Sequence, residues 1–265
     1  VEFPYKEVFI HPYIMGVLLG DGGLTEVTKI SSANIELINN VSKLIDNNHE
    51  IIKDETKKYD YKIVTKNIHN IYTQNIKKFG LNVKSHDKFI PNDYKYNSVE
   101  FRIHLLKGLM DTDGTIGKNG QLSFTTTSKK LSEDFKELVQ SLGGIVTTSE
   151  RFTKYKYKGI EKTGRKSFTS FIKLNNINPF NVSHKSKRFN IRTKYFPKHI
   201  IKNIEYIGKK ECQCILIDDN SHLYLTNNFI PTHNTAVAVG LAVSFLQAGK
   251  VEKIVIARPM IEASF

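Results

Sequence analysis

Apolar positions gather in two runs that resemble each other. The first reads His11-Pro12-Tyr13-Ile14-Met15-Gly16-Val17-Leu18-Leu19-Gly20-Asp21-Gly22. The second reads His104-Leu105-Leu106-Lys107-Gly108-Leu109-Met110-Asp111-Thr112-Asp113-Gly114. Each is nearly continuous, carries an internal glycine and closes on Asp-Gly, the pattern of a short buried helix stopped by a turn. The segments downstream of the two runs match as well. Leu37, Val41, Leu44 and Ile45 keep the i, i+4, i+7, i+8 spacing of an amphipathic helix, and Leu131, Phe135, Leu138 and Val139 repeat it before Gly143-Gly144. Strand-like stretches come next at residues 59–64 and 167–174, with another at 121–127. The period is about ninety residues, too long for a solenoid and suited to two related half-domains. The expected fold is therefore α+β, with each half reading helix, strands, helix, strands, helix.

The texture changes near Glu205. Residues 212–217 read as a strand, 218–221 as a turn and 222–225 as a returning strand. It changes again after Thr235, where residues 236–246 read as a helix and 253–257 as a buried parallel strand. That pair belongs to an α/β protein rather than to the repeat. The expected division is residues 1–203 (repeats about 1–97 and 98–203), 204–234 and 235–265.

Charge narrows the choice of partner. Lys and Arg number 39 against 26 Asp and Glu, a net +13, which favours a polyanion without deciding which one. The two cysteines, Cys212 and Cys214, are too few for a disulfide framework or a structural zinc site. They fit a reducing, cytoplasmic setting, bacterial or phage. No apolar run approaches the length of a membrane span, and no signal peptide opens the chain. Because it begins at Val1, a fragment or processed product is expected.

Candidate chemistry sits at the ends of the two runs. An Asp-Gly pair alone is an ordinary turn. Two in matching contexts suggest more: helices packed about a pseudo-twofold axis, closely approached through Gly16, Gly20 and Gly108, would bring Asp21 and Asp113 together. Paired carboxylates near a phosphate backbone suit Mg²⁺, which could activate water and stabilise a leaving oxygen.

Residues 106–114 closely resemble the LAGLIDADG signature of homing endonucleases, and residues 14–22 look like a more divergent first copy. The resemblance covers about residues 4–202. It implies two αββαββα-like halves forming a saddle on the major groove of double-stranded DNA, a monomer with an internal pseudo-dimer. It also implies double-strand cleavage, with Mg²⁺ or another divalent cation on Asp21 and Asp113. Leu19 stands where the motif's earlier Asp would be, and Asp111 is expected at the helix end in support rather than as a ligand. Many family members place a basic residue near the metals. Lys62 and Lys173, at similar strand positions, are the candidates, with solvated or phosphate-contacting lysines as the plainer alternative. Residues 151–166 read as a basic hairpin arm on DNA, through Arg151, Lys154, Lys156, Lys158, Arg165 and Lys166, or as a merely solvated hairpin.

Residues 222–235 resemble the C-terminal splicing end of an intein. Asn234 would cyclise and cleave the bond after itself, with His222 and His233 moving protons. Thr235 would be the first downstream residue and the acyl acceptor. Cys214 falls where many inteins have Asp, and a small buried core thiol is expected there. With no N-terminal splicing cysteine or Thr-x-x-His segment, complete splicing would need a separate N-terminal intein half. Residues 235–265 resemble PhoH-like ATPases just after the phosphate-binding loop; without that loop, no ATP binding is expected. The leading reading is an intein-encoded, site-specific DNA endonuclease cutting the intein-less host gene. The alternatives are a non-cleaving nucleic-acid binder of the same fold (a maturase or decayed nuclease) and a protein chiefly devoted to splicing.

Overall fold

The computed structural model describes residues 1–66, 69–157, 159–190, 223–232 and 234–254, together with positions 203, 205, 208, 211, 217, 218 and 221. The chain divides into two compact units, Val1–Pro197 and Lys198–Phe265.

In the first unit the elements run α1 (Pro12–Asp21), β1 (Gly22–Gly23), β2 (Lys29–Ser31), α2 (Ile35–Ser42), β3 (His49–Lys53), β4 (Asp60–Thr65) and α3 (Ile71–Lys78). A short helix α4 (Asn92–Lys95) leads into a second series. It comprises α5 (Val99–Thr112), β5 (Gly114–Ile116), β6 (Leu122–Thr126), α6 (Lys129–Ser141), β7 (Ile145–Tyr157), β8 (Ile160–Lys173) and α7 (Ser183–Ser186). Both series are αββαββα. Their four-stranded antiparallel sheets share one order, β1-β2-β4-β3 and β5-β6-β8-β7. The fold is α+β and internally duplicated.

Helix α1 is buried from Pro12 to Leu19, so it has no polar face and must lie inside the protein. Proline at its first turn costs no hydrogen bond. Helix α5 begins earlier than the apolar run suggests, because the Ser98 hydroxyl caps the Phe101 N–H at 3.4 Å. Asn34 caps α2, which ends at Ser42, leaving Leu44 partly exposed beyond it. One apolar core runs through both halves, from Ile14, Val17 and Leu18 to Leu105, Leu109 and Met110. Each sheet turns one face to that core. Phe124 and Ile172 are buried in the second sheet, where Phe124 stacks on Phe135 of α6 with centroids 4.1 Å apart.

The second unit contains the antiparallel pair β9 (Tyr224–Thr226) and β10 (Ile230–Thr232), then α8 (Asn234–Gln247). All of the expected strand at 212–217 but Ile217, including Cys212 and Cys214, lies outside the described residues, as do residues 255–257. No helix among the described residues is long and apolar enough to cross a membrane.

Candidate active site

Two glycines bring α1 and α5 together. A Cβ on Gly16 would lie 2.9 Å from Gly108 Cα and 2.8 Å from Leu109 N, and one on Gly108 would lie 2.9 Å from Gly16 Cα and 2.8 Å from Val17 N. The contacts are reciprocal, as a local twofold axis requires. A Cβ on Gly20 would likewise run into the Thr112 side chain. The helices therefore touch backbone to backbone, and their C-terminal ends meet where Asp21 closes α1 and Asp113 caps α5.

The last carbonyls of a helix lack partners within it. Here each set is taken by a lysine. Lys88 Nζ donates to the carbonyls of Leu18, Leu19, Gly20 and Gly22 at 2.7–3.1 Å. Lys185 Nζ donates to those of Met110, Asp111, Thr112 and Gly114 at 2.7–3.3 Å. The two sets are equivalent residue for residue. An ammonium has three N–H donors, so four carbonyls engage all of them. Each lysine thus supplies a fixed positive charge at a negative helix end.

The electrostatics are those of two half-buried carboxylates beside one buried and one half-buried ammonium group. Burial, then the neighbouring Asp21 charge, raises the Asp113 pKa to about 6, while Lys88 and Lys185 oppose the rise. Burial also raises Asp21, again against both lysines. Lys88, only 2% exposed, is lowered to about 8 by burial, with Asp113 and Asp21 resisting. Lys185 shifts down for the same reason. Among the described residues no group of three or more His, Cys, Asp or Glu could hold a metal ion by itself. Two carboxylates that resist ionising beside each other nonetheless fit a divalent cation completed by substrate oxygens and water.

The other expected site residues stand elsewhere. Lys62, on β4, pairs with Asp54 at 2.8 Å. Lys173, exposed at the end of β8, borders a cavity of about 580 Å³ with Asn119, Gln121 and Phe171. The charges acting on Asp21 and Asp113 come instead from Lys88 and Lys185. A sequence signal for this pair exists. Asn82-Val83, Ser85-His86 and Lys88 echo Asn181-Val182-Ser183-His184-Lys185, and each segment turns helical at Ser85–Asp87 and Ser183–Ser186. Asp111 is buried behind α5 and accepts from Tyr13 at 2.8 Å.

The outward sheet faces differ between the halves. The first carries the ion pairs Lys29–Asp60 and Lys62–Asp54. The second carries hydroxyl pairs, Thr115–Ser123 at 2.7 Å and Thr125–Thr169 at 3.1 Å, with Phe171 beside them. Strands β7 and β8 form a long arm on which Arg151, Lys154, Arg165 and Lys166 are exposed. Lys154 pairs there with Glu161, and Lys166 with Glu150. Lys158 and the Lys156 side chain lie outside the described residues. So do His222 and His233; Asn234 and Thr235 open α8, with their side chains undescribed.

Residues 100–175 match the family model described as a LAGLIDADG-like domain. The replicative DNA helicase DnaB of Mycobacterium intracellulare is 25% identical over 240 residues, which is 90% of this chain. The chain spans 37% of that helicase's length. Mesophilic variants of the homing endonuclease I-DmoI are 18% identical, with a TM-score of 0.41, over 62% of this chain and 83% of theirs. A crystal structure of I-DmoI in complex with DNA and Ca is 17% identical, with a TM-score of 0.38 over the same shares.

Proposed function

We propose that this chain is a divalent-metal-dependent, site-specific endonuclease that makes a double-strand cut in duplex DNA. The carrying observation is the meeting of Asp21 and Asp113 at paired helix ends, each beside a lysine fixed by four backbone carbonyls. The match of residues 100–175 to the LAGLIDADG-like domain supports this reading. A divalent cation on Asp21 and Asp113 would supply an activated water and stabilise the leaving oxygen of a phosphodiester. The chain's own residues set the stage. Asp21 and Asp113 present carboxylate oxygens to the phosphate from opposite halves. Lys88 and Lys185 balance the charge gathered there, with little reorganisation because their donors are already engaged. The basic arm and the two outward faces orient the duplex, phosphate contacts positioning it and base contacts specifying it.

In this reading residues 1–203 are the nuclease, 204–234 the C-terminal splicing segment of an intein and 235–265 a stretch of host protein. The helicase match supports an inserted element, because it takes in most of residues 1–234 of this chain within a much longer protein. Lys62 and Lys173, on equivalent strands, would contact phosphates. The deciding experiment offers duplex DNA spanning the host gene with the insertion removed, in Mg²⁺. A discrete double-strand cut, absent with chelator and with Asp113→Asn, is expected. Tight salt-sensitive binding without a cut would leave a non-cleaving binder. For the splicing segment, mass spectrometry should find cleavage after Asn234, absent in Asn234→Ala; an intact chain after long incubation refutes autonomous cleavage there.

A further inference from the structure

Lys88 and Lys185 occupy equivalent places, yet the segments that carry them are anchored differently. Ahead of Lys185, the Asp111 carboxylate accepts the backbone N–H groups of Asn181 and Val182, with N···O distances of 3.0–3.3 Å. It also accepts the Tyr13 hydroxyl, which arrives from the first half. The next residue, Ser183, donates through both its N–H and its hydroxyl to Glu36 of α2, again from the first half. In the first half, the position matching Asp111 is Leu19, which can anchor nothing in this way. There the segment is held from α6: the Ser128 hydroxyl donates to the Lys88 carbonyl at 2.6 Å, and the Ile90 N–H to Asp134 at 3.0 Å.

Asp111 is 4% exposed, and burying a carboxylate costs heavily unless its oxygens are occupied. Its backbone partners on this segment lie three and four residues before Lys185, so its position dictates where that lysine emerges. We propose that Asp111, assisted by Glu36, is a positioning residue that sets the Lys185 ammonium against the end of α5, a task the first half performs without an acid at position 19. Its catalytic consequence rests on the nuclease reading; its structural consequence does not.

Reductive methylation of the full chain, read by peptide mass spectrometry, tests the structural part. Lys88 and Lys185 should label slowly beside the exposed Lys154. In Asp111→Leu, which installs the residue found at position 19, Lys185 should label about tenfold faster, the equivalent of one lost charge-assisted hydrogen bond. Lys88 should stay protected. Unchanged labelling of Lys185 overturns the proposal. So does an equal rise at both lysines, which would assign Asp111 to general packing. Should Asp111→Leu not fold, Asp111→Asn decides by the same comparison.

On supercoiled plasmid carrying the cut site, the variants should accumulate nicked circles ahead of linear product, because one half loses its lysine. Equal slowing of both cuts overturns the catalytic consequence. A wild-type chain that never cuts would sink the nuclease reading, while the labelling result would still decide the positioning role.

Discussion

Replacing Gly16 by alanine tests whether the two halves meet backbone to backbone. The new methyl would lie 2.8 Å from Leu109 N and 2.9 Å from Gly108 Cα, and closer still to the Leu105 carbonyl. Ordinary contact needs about 3.5–4.0 Å, so α1 and α5 must separate by roughly 1 Å. Every obstructing atom is main chain and cannot rotate away. Overpacking of this kind costs about 1–3 kcal/mol, and with no side chain to yield the upper end applies. Alanine returns about 1 kcal/mol through its better helix propensity. The net loss is then about 2 kcal/mol, a fall in Tm of about 4–8 °C for a unit of this size. Gly108→Ala should cost a similar amount. The double variant should cost clearly less than the sum, because the first methyl already spreads the helices. Gly240 in α8 provides the control, since a Cβ there meets nothing within 4 Å, and Gly240→Ala should not lower Tm. Differential scanning calorimetry of the four variants suffices. A Gly16→Ala melt at or above wild type would mean that propensity wins and that the close approach is absent.

Asp113→Asn should abolish cleavage, leave DNA binding intact and raise stability. The carboxyl titrates near 6 rather than 3.8 in the folded protein, so ionising it above that pH costs up to about 3 kcal/mol; a Tm at pH 7.5 no higher than wild type would refute the burial argument. His11 should make the fold acid-labile. Its Nδ1 accepts the Tyr13 N–H at 3.2 Å, and burial together with His104 lowers its pKa from 6.5 to about 4. A depressed folded pKa means the unfolded chain takes the proton first, so this stability is complete above pH 6.5 and lost as pH falls towards 4. The loss is about 1–2 kcal/mol after allowing for partial exposure, best read in the Asp113→Asn background, where the opposing acid stabilisation is gone; melts independent of pH between 7 and 4.5 would refute it. Arg151→Ala with Arg165→Ala should weaken duplex binding and flatten log K against log salt by up to about 2. An unchanged slope would take the arm off the DNA.

What the sequence discloses depends on how local each signal is. The helix pair is legible because a continuous apolar run closed by Asp-Gly permits few other structures, and the repetition tells Asp21 and Asp113 apart from ordinary turn residues. The second-half strands are legible from alternating β-formers. Helix α4 and the buried Lys95 and Arg102 are not, because their burial is justified only by distant partners. Lys95 meets Asp134 at 2.9 Å, and Arg102 reaches Ser141 and the Asn97 carbonyl. The same holds for Lys88 and Lys185, which cannot be singled out from 39 basic residues by periodicity. Their mark is the sparse Asn-Val, Ser-His, Lys echo, a comparison between halves rather than a property of either.

That echo also shows why the duplication is not simply two independent modules. Each lysine caps the helix of its own half, while the segment carrying it is also pinned by the other half. Ile90 and Lys95 hold to Asp134, and Ser183 to Glu36. Docking of the halves therefore does two things at once. It brings Asp21 beside Asp113, and it fixes the positive charges that make so close a carboxylate pair tolerable. Without the lysines, two half-buried acids would sit together at the negative ends of two helices, an arrangement opposed by both desolvation and dipole. Neither half alone presents a second carboxylate or retains its cross-half anchor. The site is a property of the interface, and a loosened interface should lose chemistry before it loses fold, because misplacement by about 1 Å can cost on the order of 100-fold in rate.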